Sequence, residues 1–267
     1  MDFARIIAHT NYLADREAYS FLRVWEKLSY PNRPTKKETE IYRKFIGGLN
    51  EGSKLLILGA TPELRDLASE LNIKPILVDI SLNSLSGMLR FAKSADPRNE
   101  IWVKSDWAEA PLEENHFDAV VGDLSLRHIE LERQELLFEK LLKLLKKGGA
   151  LVVRHHVANP NYEKRSIAEI LEEPLEISYL KNKYQAIGIL LSRLFDAGTA
   201  KRYADHRNII ENVSEYLSKK PNVVFWYRRF LYDFLLTVRP LYDKPKLSQA
   251  KNEFEGKVEK YFSISKI

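Results

Sequence analysis

The chain has 267 residues, 45% hydrophobic and 30% charged, with a net charge of +5, a size that suits one large domain or a domain with a cap. It contains no cysteine, which excludes a disulfide framework, a thiolate zinc site, an iron–sulfur cluster and a cysteine nucleophile, and with them any pyrimidine methylation that proceeds through a cysteine adduct. Residues 201–267 hold 14 Lys and Arg against 8 Asp and Glu; a basic quarter of this kind suits an anionic partner such as nucleic acid, and equally a solvated surface.

No apolar run approaches the roughly 18 residues of a membrane span, and charge interrupts the opening "MDFARIIAHTNYLADREAY" too often for a secretory segment. A cytoplasmic protein without a membrane partner is the expectation. Residues 1–50 read as helices, one of them opened by the capping box Thr35–Glu38 and closed at Gly47 and Gly48. "KLLILGA" is a short apolar run of the kind that forms a strand buried on both faces. "TPELRDLASELNI" then sets Leu64, Leu67, Ala68 and Leu71 at helical spacing, with Thr61 at the N-cap, Pro62 in the first turn and Glu63 at the positive end of the helix.

Three more strands follow: "PILVDIS", ending near Asp79; "IWVKSDW", ending near Asp106 and Trp107; and "FDAVVGDLS", ending at Asp123. "RQELLFEKLLKLLKKGG" reads as a helix with Lys146 and Lys147 in its last turn and Gly148 as its stop, and "ALVVRHHV" as a fifth strand. Beyond Val157 the segments "SIAEILEE", "KYQAIGILLSRLFDA" and "NIIENVSEYLSKK" are helical in pattern. "VVFWYRRFLYDFLLTV" fits strand and helix alike, and "KVEKYFSISKI" has the pattern of a terminal strand. The alternation predicts an α/β fold: a Rossmann-like, doubly wound, mostly parallel sheet over residues 51–158. A helical lid over 1–50 and a mostly helical cap over 159–267 flank it.

In such sheets ligands bind beyond the carboxyl ends of the strands, where strand order reverses. The first strand end offers Gly59 and a helix N-terminus, whose unbonded N–H groups favour a carboxylate or phosphate. Asp79 stands 20 residues after Gly59, the distance at which a carboxylate accepts from both hydroxyls of a ribose. Asp106 is placed to accept from an adenine amine, and Trp107 supplies a flat apolar surface, although a core position explains a lone tryptophan as well.

Taken together, "LLILGATPEL", Asp79, Asp106 with Trp107, "SDWAEAPLEENHFDAVVGDLSLRHIE" and "LLKLLKKGGALVVR" resemble the class I S-adenosylmethionine-dependent methyltransferases from Leu55 to about His156. The resemblance implies S-adenosylmethionine as cofactor, held by Gly59, Ala60 and Thr61 at its methionine part. It further places Asp79 and Ile80 at the ribose, Asp106 and Trp107 at adenine, and Asp123 near the methyl group. The family's first motif commonly carries an acid and three glycines; here Ile57, Thr61 and Glu63 stand at three of those places. The closest likeness is a subgroup with a Leu-Gly-x-Thr-Pro-Glu loop. A dinucleotide pyrophosphate needs close backbone approach along its length, whereas an amino-acid carboxylate is held by one glycine and a helix start, so the thinned glycines weigh against NAD.

Methyl transfer from a sulfonium is an in-line displacement that depends on placement, with a base needed only where the acceptor must lose a proton. The candidates are Asp123, His128, His155 and His156, with a structural cap of the next helix as the plain alternative for Asp123 and packing as that for His128. His155 and His156, adjacent on a strand, point to opposite faces. No Asn/Asp-Pro-Pro-aromatic run follows the fourth strand, where enzymes that methylate base amines carry it. "FWYRRF" keeps RNA open, since aromatics stack on bases and arginine pairs with phosphate. The expected activity is therefore methyl transfer to oxygen or nitrogen of a small molecule or peptide. The alternatives are a non-catalytic S-adenosylmethionine-binding protein and an RNA methyltransferase. No carboxylate–histidine group has convincing metal-ligand spacing.

Overall fold

In the computed structural model the described residues are 5–8, 22, 25–28, 30–175, 183–197, 203–204, 211–213, 215–216, 219, 246–247 and 251–264. They divide into two compact units. The first comprises Met1–Glu26, Pro34–His155 and Lys257–Ile267; the second comprises Lys27–Arg33 and His156–Gly256. The aromatic run "FWYRRF" lies outside the described residues.

The first unit is built on a six-stranded sheet, all of whose pairings are parallel. Its strands are β1 (Arg5–Ala8), β2 (Leu55–Leu58), β3 (Ile76–Asp79), β4 (Ile101–Lys104), β5 (Phe117–Asp123) and β6 (Leu145–Arg154), in spatial order β1-β4-β3-β2-β5-β6. From β2 the chain walks outward through β3 to β4, and then returns to place β5 and β6 on the other side of β2. The order reverses between β2 and β5, which makes their carboxyl ends the switch point of a doubly wound sheet. The sequence accounts for the buried layer: Leu55, Leu56, Ile57 and Leu58 are all buried, as are Leu77, Val78, Val103, Val120 and Val121, the continuous apolar runs that a sheet covered on both faces requires.

The helices of this unit are α1 (Lys36–Ile46), α2 (Pro62–Glu70), α3 (Leu82–Leu89), α4 (Gln134–Leu144) and, near the carboxyl end, α7 (Lys251–Glu259), whose last residues belong to it. α1 starts at the expected capping box: Thr35 Oγ1 accepts from Glu38 N and the Glu38 carboxylate accepts from Thr35 N. α2 buries Leu64, Leu67 and Ala68, the face set by their spacing.

Three elements differ from the sequence expectations. Arg5–Ala8 is a strand at the sheet edge beside β4, inside a stretch read as helical; at four residues it is too short to declare a period. "KVEKYFSISKI" does not extend the sheet over its described part, since α7 runs through Glu259. The helix before the fifth strand stops at Leu144, and Lys146 and Lys147 lie in β6. There the pairing advances from Phe117↔Leu145 to Ala119↔Ala150, so the "KKGG" segment is looped out as a bulge. Gly148 supports it with φ +82°, and a Cβ on Gly149 would meet Lys146 O at 3.0 Å and Phe117 O at 3.1 Å. Lys146 Nζ turns instead to both carboxylate oxygens of Asp118, at 2.8 Å each.

The second unit holds α5 (Ile167–Glu172) and α6 (Lys183–Ala197). α5 opens on a second capping box, Ser166 with Glu169, and α6 buries Ala186, Ile187, Leu190, Leu191 and Leu194. The turn at Tyr30–Asn32 comes so close to α6 that a Cβ on Gly188 would lie 3.0 Å from Pro31 Cδ. A short pair of strands, β7 (Tyr203–Ala204) and β8 (Lys246–Leu247), is antiparallel.

Candidate active site

The end of β2 and the end of β3 meet around one carbonyl. Val78 O accepts from Gly59 N at 2.8 Å and from the Trp107 indole Nε1 at 2.6 Å. Gly59 has φ +99°, a conformation that side chains rarely adopt and glycine adopts freely. A Cβ built on it would lie 3.8 Å from Trp107 Cζ2 and 3.9 Å from Asp79 Oδ2. Gly59, Asp79 and Trp107, drawn from three separate strand ends, therefore surround one small space, and the missing side chain of Gly59 keeps it open.

Asp79 holds its place through its own backbone surroundings: its Oδ1 accepts from Ser81 N at 2.8 Å and its carbonyl accepts from Ser105 N at 3.1 Å. Ile80 follows it, half-buried. Ala60 and Thr61 are buried at the start of α2. Thr61 stands at the N-cap as expected, but its side chain makes no capping hydrogen bond, so the positive end of this helix is not closed by its own cap.

Asp106 lies beyond β4, next to β3 in the sheet. Its Oδ1 accepts from Ala108 N at 2.9 Å and its Oδ2 from Arg133 Nη1 at 3.0 Å, while Arg133 Nη2 reaches Glu109 at 3.1 Å. Each carboxylate oxygen has two lone pairs, so these bonds leave acceptor capacity for a third donor. Arg133 is a partner that the sequence did not announce, 27 residues away.

Asp123, at the end of β5, is tied into a buried network. Its Oδ1 and Oδ2 accept from Arg154 Nε at 2.6 Å and Nη2 at 2.8 Å, and its side chain is 2% exposed. Burial lifts the Asp123 carboxyl above its ordinary range, and the bidentate Arg154 guanidinium pulls against that shift. Arg154 Nη1 also lies 3.4 Å from Glu38 Oε1 on α1. Tyr42, on the same helix, donates its hydroxyl to Gly122 O at 2.8 Å and accepts from Arg154 N at 3.0 Å. Burial first, and then the Asp123 charge, push the Tyr42 phenol above its usual range, which keeps it protonated and donating.

Past Asp123 the chain turns sharply. Leu124 has φ +53° and Ser125–His128 form a short 3-10 turn. A Cβ on Gly122 would strike Ser125 Oγ at 2.3 Å, so glycine at 122 is what lets this turn fold back over the strand. His128 is exposed on the turn. In the second unit, His156 Nε2 lies 2.8 Å from Asp196 Oδ1, and the Asp196 side chain is buried. A ring nitrogen fixed by a buried carboxylate is the arrangement used in acid–base chemistry, and Asp196 is 40 residues away in sequence, beyond any local pattern. Among the described residues no group of three or more His, Asp or Glu is arranged to hold a metal ion, and no helix is long and apolar enough to cross a membrane.

Residues 58–149 match the family described as "Methyltransferase domain", a stretch that runs from the last residue of β2 into β6. A search of curated proteins finds no match. Among solved structures, phosphoethanolamine N-methyltransferase 2 of Haemonchus contortus, bound to phosphomonomethylethanolamine and S-adenosylhomocysteine, is 18% identical over 87% of this chain and 57% of its own, with a TM-score of 0.45. The present chain thus spans little more than half the length of that protein. The N-methyltransferase NodS of Bradyrhizobium japonicum is 17% identical over 50% of this chain and 71% of its own, with a TM-score of 0.38. A putative zinc-dependent alcohol dehydrogenase of Rhodobacter sphaeroides superposes with a TM-score of 0.54, at 14% identity, over 96% of this chain and 92% of its own. At 14% identity the last of these is similar to the present chain in fold.

Proposed function

We propose that the protein is an S-adenosylmethionine-dependent methyltransferase acting on oxygen or nitrogen of a small molecule or peptide. The observation that carries this reading is the convergence of Gly59, Asp79 and Trp107 at the switch point of the sheet, within the segment that matches the methyltransferase domain. The residues fit the cofactor. Asp79 is a carboxylate for the two ribose hydroxyls, and Trp107 is a rigid apolar wall beside it. The uncapped start of α2 offers N–H groups to the amino-acid carboxylate. Asp106 and Ala60 complete the adenine and methionine ends.

When bound, the cofactor supplies an electrophilic methyl on a sulfonium; the chain supplies position. The Tyr42–Asp123–Arg154 network fixes the ends of β5 and β6, and with them the turn that carries His128. Asp123 acts in this reading as a positioning residue. Placement within a fraction of an ångström is the main contribution a protein makes to such a displacement. Titration calorimetry tests the proposal. S-adenosylmethionine and S-adenosylhomocysteine bind the protein below millimolar concentration and NAD does not, and exchanging Asp79 for Asn weakens the binding by about tenfold through loss of a charge-assisted hydrogen bond. Heat from NAD alone, or none from any of the three, contradicts it.

A further inference from the structure

In the second unit Tyr162 gathers two arginines that have no place in the reading above. Arg165 Cζ lies 5.6 Å and Arg193 Cζ 5.3 Å from the Tyr162 ring centroid, both within cation–π range. The two guanidinium groups share one carboxylate: Arg165 Nη1 hydrogen-bonds Glu173 Oε2, and Arg193 Nη1 stands 3.5 Å from Glu173 Oε1. These residues come from the turn before α5, from its carboxyl cap and from α6, so the cluster is assembled by the fold.

The cluster is unbalanced. Among the described residues two positive groups face one negative group, and the side chain of Arg193 is only 12% exposed. Its Nη1 is fully buried, makes no hydrogen bond among the described residues and has its carboxylate partner at the edge of reach. A guanidinium presents five N–H donors in a planar fork matched to carboxylate and phosphate. A charged donor withdrawn from water and left unbonded is costly, and a second oxyanion would satisfy it. Arg165 and Glu173 remain about one-third and one-quarter exposed, so solvent reaches the cluster.

We propose that Tyr162, Arg165 and Arg193 form a binding site for the oxyanion group of a small ligand, a phosphate monoester or a carboxylate, and that Glu173 is the internal carboxylate with which that group competes. The site is independent of the methyltransferase reading, because it lies in the second unit and its occupancy is measured with no cofactor present.

The test uses the full chain at constant ionic strength, titrated with inorganic phosphate and, separately, with acetate, and followed by calorimetry and by the thermal unfolding midpoint. Wild-type protein binds at least one of the two saturably in the millimolar range and its midpoint rises with occupancy; the tighter of the two identifies the ligand chemistry. Arg193→Gln and Arg165→Gln each weaken binding at least tenfold while circular dichroism stays unchanged. Glu173→Gln tightens binding severalfold. That gain separates the two roles: if the carboxylate served only to hold the arginines in place, its removal would weaken binding or leave it unchanged. Absence of saturable binding by wild-type protein, equal binding in the Arg193 and Arg165 variants, or unchanged or weaker binding in the Glu173 variant each overturns the proposal. If either arginine variant fails to fold, Tyr162→Leu stands in for it and must weaken binding.

Discussion

Arg65 and Glu100 face each other in a two-pronged ion pair closed to solvent at both ends, with side chains 0% and 2% exposed. Arg65 Nε and Nη2 reach Glu100 Oε1 and Oε2 at 2.9 and 2.6 Å, Arg65 Nη1 donates to Leu85 O at 2.7 Å, and Trp102 Nε1 donates to Glu100 Oε2 at 2.6 Å. Through these bonds α2, which begins at the Gly59 loop, is locked to α3 and to the start of β4. The strand ends that carry Gly59, Asp79 and Asp106 are in this way held at fixed spacing from beneath.

Arg65→Met strands a buried carboxylate and is expected to cost about 3–5 kcal/mol of folding stability, the typical loss when one partner of a buried pair is removed. Adding Glu100→Gln removes the orphan charge, keeps an acceptor for Trp102 and restores a good part of the loss. Denaturant unfolding of wild type, single and double variants measures both. A single variant within 1 kcal/mol of wild type, on the same scale, contradicts the role given to the pair.

Gly59→Ala is a sharper probe of the candidate site than of the fold. The backbone at φ +99° disfavours alanine by about 1–3 kcal/mol, and the new methyl enters the space between Trp107 and Asp79. Affinity for S-adenosylhomocysteine is expected to fall by more than the stability does, read by calorimetry beside thermal unfolding. Unchanged affinity shows that the ligand does not use that space.

Tyr42→Phe deletes the hydroxyl that joins Gly122 O to Arg154 N. Leaving a buried donor and acceptor unpaired costs about 1–3 kcal/mol, and the ends of β5 and β6 lose their bridge. Hydrogen exchange of the Arg154 amide reports the change directly: it accelerates in the variant, and equal protection in both proteins refutes the bridge.

The Asp118 carboxyl is pushed up by its partial burial, but the Lys146 ammonium and the Lys54 N–H outweigh this and hold it below its ordinary range. A carboxyl depressed in the folded state contributes stability that is present above its unfolded pKa, about 3.9, and is lost as pH falls through the folded value. Asp118→Asn is therefore expected to lower stability near neutral pH and to flatten the acid limb of the stability curve below about pH 4. An acid limb identical in slope to that of wild type contradicts the assignment.

Much of this architecture is written in local pattern. The runs "LLIL", "ILVD" and "FDAVVGD" each end where a strand ends, because short apolar segments closed by an acid, a glycine or a cap leave the chain few alternatives. The third strand stops at Lys104, short of the end expected near Asp106. The capping box at Thr35 is read from residues three apart. What escaped notice is set by distance along the chain. Arg154 pairs with Asp123 across 31 residues, Arg133 with Asp106 across 27 and His156 with Asp196 across 40, and no local spacing encodes such pairs. The "KKGG" segment misled for another reason: lysines followed by glycine mark a helix end, and the same glycines permit a bulge within a strand.

The central claim is that Asp79 grips a ribose beside Gly59 and Trp107. A crystal structure of the protein grown with S-adenosylhomocysteine measures this most directly. The account predicts both ribose hydroxyl oxygens within about 2.5–3.0 Å of the Asp79 carboxylate, with the nucleoside against Trp107. An adenosine bound elsewhere in the molecule, or Asp79 turned away from the sugar, contradicts it.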